Sequence, residues 1–528
     1  MTAEMPINGQ VDVRKKMLRG GVYMSLSPIA SLILGLVVSW QIQLFISTEQ
    51  YGLFEWYNVL SSFFITLIPF RLPSAFGRYI AYSSSNDEVS IQSLVKTSTV
   101  LTLILVPVSG VVAFFITPFV LTSLGRGTEY LIVDGLIFTL GVMSINLSAF
   151  AISVASGYRE FQSRGIAELI ANVASQVVVI VLIPLGWGIR ALFVKSIVLG
   201  LITALFLYFT VRNIWSLKGS MYPLGPLMKY AYPAIISFLF AYLLNEVLIR
   251  AIFQHYVSLG FSSELGLYGF AVRMVTFVNA FSLGYYGILG SYYTEALGRS
   301  TKDLNDVFQW TVRMSFFIFT PMIVVCLAMA PSAFLIVFPR YYWAYQYFAI
   351  LILQLFFFLF LRPLQSVLSA AAKTQHILAS TILSSIASGF LMYIMVDYGL
   401  LFVVLGYISN GFFAAIFSAI FVKRIVPEVN LRVTKIMPIS IIAFSALLPA
   451  AGVHFLRINP LLELMTNLAI FITIYIGTTR LLSLVTISEI RKATVFLPAK
   501  LVEPITKFLI LLFIRRGVVE QDTINNQN

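Results

Sequence analysis

The stretch Trp56–Ala81, WYNVLSSFFITLIPFRLPSAFGRYIA, is long and apolar enough to cross a bilayer, yet its second half carries Pro69, Arg71, Pro73 and Arg78. An arginine near the middle of a spanning helix costs about 2.5–3.5 kcal/mol on insertion-based scales. The flanking prolines remove backbone donors and loosen the helix. Arg71 and Arg78 are two helical turns apart and share a face with Ser74 and Ala75. Lipid does not accept such cations, so that face points at protein, water or an anion.

The rest of the chain agrees with a membrane setting. Of its 528 residues, 59% are hydrophobic and 11% charged, and the mean hydropathy is +0.91. Soluble domains run at about 45–50% apolar and about 25% charged residues. The expected fold class is an all-α polytopic membrane protein. Segments of about 20 apolar residues predict fourteen transmembrane helices, from 20–46 and 57–81, through 230–255 and 265–295, to 436–456 and 461–480. The first 19 residues are polar and include Arg14, Lys15, Lys16 and Arg19. The apolar run behind them exceeds a signal-peptide core, so we read an uncleaved first span.

Loop charges set the expected orientation. On this layout Arg126, Arg190, Arg340 and Arg457 face one side, while the other loops and both tails collect the remaining loop Lys and Arg. Cytoplasmic loops gather positive charge, which puts both termini in the cytoplasm of a cell-membrane protein. The net charge of +13 is thereby a matter of topology, and no nucleic-acid partner is implied.

The chain also repeats. A shift of 214 residues lays Gly52-Leu53-Phe54 on Gly266-Leu267-Tyr268, Pro107 on Pro321, and Leu124-Gly125 on Phe338-Pro339. With six spans per copy the two share an orientation, giving a parallel transporter-type repeat. The expected division is a cytoplasmic segment 1–19, a six-helix bundle 20–212, a linker 213–229, a second six-helix bundle 230–422, two extra C-terminal helices 423–480, and a cytoplasmic tail 481–528. In that tail Phe508–Ile514 reads as an interfacial amphipathic segment and the last ten residues as disordered.

The chemistry narrows to a few intramembrane charges. In span eight Arg273, Ala280, Gly284, Gly287 and Ser291 share one face. It reads either as a small-residue packing stripe or as a cavity wall with Arg273 supplying charge. Arg78 sits close enough to the cytoplasmic end to snorkel. Glu246 precedes Arg250 by four residues, the spacing of an intrahelical ion pair. Asn245 beside them opens a second reading, a gate or an ion-coupling site. Arg164 and Glu168 form another i, i+4 pair, whereas Asp134 and Glu463 are expected to be exposed near external ends. Arg362 and Lys195 receive no role. Cys326 stands alone and His255, His376 and His454 lie far apart, so no metal site, catalytic group or cofactor is expected. No phosphate-binding glycine loop occurs, which argues against an enzyme.

Several stretches resemble the polysaccharide-exporting, O-antigen type of flippase. They are RKKMLRGGVYMSLSPIASLILGLVVSW, FISTEQYGLFEWYNVLSSFF, LPSAFGRYIA, KYAYPAIISFLFAYLLNEVLIRAIF, SELGLYGFAVRM and FPRYYWAYQYFAILIL. These proteins belong to the multidrug/oligosaccharidyl-lipid/polysaccharide exporter superfamily. The resemblance implies two six-helix bundles around a cationic central cavity that works by alternating access. It further implies a polyprenyl-(pyro)phosphate-linked oligosaccharide as cargo, an H+ or Na+ gradient as drive, and membrane lipid as the surroundings, while the internal duplication makes a functional monomer sufficient. Arg71 and Arg273, and less closely Arg78, match places where such cations sit. Two readings compete: a multidrug or organic-cation antiporter, with Glu246 as its acid, and a membrane polysaccharide polymerase.

Overall fold

A computed structural model describes residues 30–83, 88–123, 132–158, 160–210, 212, 215, 220–260, 263–371, 373–432, 436–455, 459–482, 487 and 499–514. All regular structure among the described residues is helical. In chain order the helices are α1 (Ala30–Phe45), α2 (Thr48–Leu67), α3 (Leu72–Ser83), α4 (Glu88–Ser123), α5 (Ile132–Gly157), α6 (Phe161–Leu182), α7 (Arg190–Thr210), α8 (Leu224–Ala241) and α9 (Leu248–Ser258). They continue as α10 (Glu264–Arg299), α11 (Thr301–Val337), α12 (Ala344–Ala370), α13 (Thr374–Met395), α14 (Leu400–Ile425), α15 (Ile436–Ser445), α16 (Leu447–Phe455), α17 (Pro460–Leu481) and α18 (Ala499–Phe513). Ten helices among the described residues are long and apolar enough to cross a membrane, and the bent pair α2–α3 makes an eleventh. The other expected spans fall on α1, on the short apolar segment Ile436–Ala450, and on α10.

The opening stretch departs from a single span over 57–81. Its helix starts earlier, at Thr48, because Ser47 caps the first turn. The Ser47 side chain accepts from the Gln50 amide, and the Gln50 side chain accepts from the Ser47 amide. The helix then stops at Leu67 and restarts at Leu72 with a 46° bend. Pro69 supplies no N–H. Phe70 and Arg71 follow it at φ 52° and 54°, a left-handed conformation that side chains bearing a Cβ resist at about 1–2 kcal/mol per residue. Short turns close the break, from the Phe70 amide to Leu67 O and from Leu72 to Pro69 O. Pro73 then sits in the first turn of α3, where its missing donor costs nothing.

The chain forms two compact units, Met1–Ile288 with Thr381–Tyr407, and Leu289–Ser380 with Ile408–Asn528. In the first, α5 packs against α7 and α4, and α3 packs against α5 and α8. Leu72, Phe76, Ile80, Leu94, Val95, Phe150 and Val154 form its core around α3. One span, Leu224–Ser258, carries a π-helical turn at Tyr242–Val247 between α8 and α9. The turn is held by Tyr242 Oη donating to Val59 O at 2.8 Å and by Asn245 donating to Ser385 Oγ at 3.0 Å.

In the second unit α11 packs against α12, α15 and α17. The amphipathic segment expected at Phe508–Ile514 lies in α18, which begins earlier, at Ala499. Phe513 of α18 meets Phe317 edge-on at 5.1 Å, while Phe508 and Leu511 stay exposed. The last ten residues lie outside the described residues. Pro107 and Pro321, equivalent under the 214-residue shift, both fall inside the long helices α4 and α11.

Candidate functional site

The predicted residues fall into three groups, all within the first unit. The break between α2 and α3 sets the first. Arg71 leaves the helical path there and lays its guanidinium against the Phe238 ring of α8, 5.6 Å from the centroid. Two turns on, Arg78 stacks over Tyr230 at 4.7 Å. Arg71 and Arg78 thus share a face, as their spacing requires, and that face lies along α8. Arg78 is exposed and Arg71 half-buried. The Arg71 Nε atom is buried with no hydrogen-bond partner among the described residues. Among the described residues no carboxylate comes within ion-pair distance of either.

Arg273 of α10 forms the second group. Its Nε donates to Ser39 Oγ of α1 at 2.8 Å, and its guanidinium lies 5.4 Å from the Phe277 ring. Its Nη2 is buried without a hydrogen-bond partner among the described residues. Ser39 is fully buried and itself donates to Gly35 O, so one arm of the guanidinium is fixed. On the same face of α10, the side-chain surroundings of Gly284, Gly287 and Ser291 lie outside the described residues.

The third group is larger than the expected intrahelical pair. Arg250 Nη1 does meet Glu246 Oε2 at 2.7 Å, but Nη2 also meets Glu55 Oε2 of α2 at 3.1 Å. Tyr407 of α14 donates to Glu246 Oε1 at 2.9 Å, and Asn58 donates to Glu55 Oε1 at 3.4 Å. The Tyr268 ring of α10 lies 5.8 Å from the guanidinium carbon. Arg250 and Glu55 are 5% and 4% exposed, whereas the Glu246 side chain is 40% exposed. One cation therefore has a buried counter-ion and a half-open one. Asn245, one residue away, faces α13 and accepts from Ser388 Oγ at 2.6 Å.

Glu55 escapes the sequence reading because span two is placed at 57–81, one residue beyond Trp56. Ser47 and Gln50, three apart ahead of an apolar run, are the signal that carries the helix across it. Two acids expected at exposed helix ends are in fact buried. Asp134 is paired with Arg190, because α5 and α7 pack closely enough to bring the two together. Glu463 sits in the first turn of α17, where a carboxylate complements the helix dipole. Arg164 and Glu168 pair at 2.7 Å. A cavity of about 20 Å³ between α2, α5 and α7, lined in part by Tyr57, Asn58 and Phe193, has room for about one water and none for a larger ligand.

Known proteins carry the same architecture. A multidrug resistance MATE family transporter of the MOP superfamily, solved facing inward, aligns with a TM-score of 0.63 at 16% identity over 78% of this chain and 98% of its own. The lipid II flippase MurJ, in an inward closed conformation, aligns at 0.61 and 15% identity over 86% and 98%. A mutant of the Vibrio cholerae MATE transporter VcmN aligns at 0.58 and 15% over 80% and 98%. No curated protein matches the sequence. The fold is the one these solved proteins share. Residues 129–345 match a family model described as polysaccharide biosynthesis protein.

Proposed function

We propose that the chain is a flippase that carries a lipid-linked oligosaccharide across the cytoplasmic membrane for glycan export. Arg71 carries this reading. It is a cation inside a broken span, at a strained backbone position, with no carboxylate beside it among the described residues. Strain of that kind persists where surrounding structure enforces it, often at ligand sites. Arginine suits a phosphate or pyrophosphate because its planar fork donates two charge-assisted hydrogen bonds. Arg273 would add a second positive charge for the same anionic head, and Arg78 a more exposed one. The polysaccharide family match and the likeness to a lipid II flippase favour a sugar–lipid cargo.

The working cycle in this reading is alternating access between the six-helix repeats 20–212 and 230–422, drawing on an H+ or Na+ gradient. The chain would act as a monomer with fourteen crossings and both termini in the cytoplasm. Arg71→Ala is expected to insert normally and to abolish export in a strain lacking its own flippase. Full complementation would remove the cationic site from the mechanism. The antiporter reading predicts efflux of cationic dyes by the purified protein in vesicles. The polymerase reading predicts a lengthened glycan. The flippase reading predicts neither.

A further inference from the structure

The helices α2 and α10 begin with equivalent residues of the two repeats, and there the repeats touch. A Cβ built on Gly52 would stand 3.2 Å from the Gly266 nitrogen, and one built on Gly266 would lie 1.8 Å from Thr48 O. At Gly266 no side chain fits this approach, whereas at Gly52 a Cβ asks the facing backbone to give by a few tenths of an ångström. One turn along α10, a Cβ on Gly269 would fall 2.2 Å from Glu55 Cγ. The Glu55 side chain thus lies in the space Gly269 leaves open and reaches past α10 to Arg250 of α9. Trp56 Nε1 adds a second bond between the same two helices, donating to Gln254 Oε1 at 3.3 Å.

We propose that Glu55–Arg250 is an ion-paired latch between the repeats, closed when α2 lies across α10 and parted once in each transport cycle. This inference rests on the alternating-access reading above. Glu55 is the member that makes a latch possible. Glu246 lies on the same helical span as Arg250 and travels with it, whereas Glu55 belongs to the other repeat. When α2 withdraws, Glu246 stays behind as counter-ion, held by the Tyr407 hydroxyl. Arg250 is therefore never left as a bare buried charge, and the parted state remains accessible.

The latch can be locked at will. The Gly52 Cβ position lies 3.5 Å from Leu265 Cβ, within the range a disulfide bridges. In a Cys326→Ser background, the variant Gly52→Cys/Leu265→Cys in proteoliposomes should lose transport of lipid-linked oligosaccharide on oxidation and regain it on reduction. Recovery shows that the protein is folded. Undiminished transport by the fully oxidised protein would overturn the latch. A second readout needs no transport: adding Glu55→Gln should lower the yield of that disulfide several-fold under limiting oxidant, and an unchanged yield would equally overturn it. If the Cys326→Ser protein with Gly52 and Leu265 intact moves no cargo, the flippase reading fails by itself, while the disulfide yields still decide the latch.

Discussion

Arg71 and Arg250 lie in the same compact unit and are treated in opposite ways. Arg250 is buried and saturated with charge, held by Glu246 and Glu55, with a tyrosine and an asparagine holding those carboxylates in turn. Arg71 is half-buried, and among the described residues its guanidinium meets an aromatic ring and no carboxylate. A guanidinium inside a membrane protein must be neutralised at a cost or left open for something that neutralises it. The difference between the two sites teaches that burial of a cation does not by itself mark function. What separates the two is the counter-ion: the chain supplies Arg250 with one on its own span and one on α2, and on our proposal Arg71 takes its own from a ligand.

The contrast can be broken in several places. The largest effect on stability is expected from Arg250→Ala, which strands Glu55 against Gly269 without a cation. Losing one partner of a buried pair costs about 3–5 kcal/mol, and thermal unfolding in detergent should drop accordingly. An unchanged midpoint would mean that water, not Arg250, compensates Glu55. Gly269→Ala should cost less, about 1–3 kcal/mol as for other overpacked sites, by pushing the Glu55 carboxylate away from the guanidinium. Its signature is a loss of stability that disappears when Glu55 is also made alanine.

At the other site the sign reverses. Phe70→Gly relieves a left-handed residue and should raise stability by about 1 kcal/mol. A loss of stability there would place the break on ring packing instead of backbone geometry. Asp134→Asn supplies the control between the extremes. Its partner Arg190 keeps 38% of its side chain in solvent, so the expected cost is below about 1 kcal/mol.

How much of this was legible in the sequence follows from where the information lies. Hydropathy locates a helix because some twenty residues must agree, so the span positions are readable one segment at a time. The 214-residue repeat was readable too, and Gly52 and Gly266, which mark it, meet in space. The start of span two was not readable from hydropathy, because Glu49, Glu55 and Asn58 dilute the apolar run just where the helix begins. Ser47 and Gln50 had to be weighed as a cap to recover it. The Arg250–Glu246 pair followed from spacing along one helix. Its Glu55 partner is 195 residues away and depends on two glycines letting α2 and α10 cross. The π-helical turn at Tyr242–Val247 has no local cue, since its side-chain bonds to Val59 and Ser385 are long-range.

The central claim is that Arg71 is left without a counter-ion in order to bind one. The most direct measurement pairs transport with stability for Arg71→Ala and Arg71→Lys in proteoliposomes supplied with a lipid-linked oligosaccharide. The account predicts that Arg71→Ala unfolds within about 1 kcal/mol of wild type, because no buried partner is orphaned, and transports nothing. Arg71→Lys should retain part of the rate, as a point charge without the bidentate fork. Transport by Arg71→Ala at the wild-type rate, or a collapse in its stability matching that of Arg250→Ala, would contradict it.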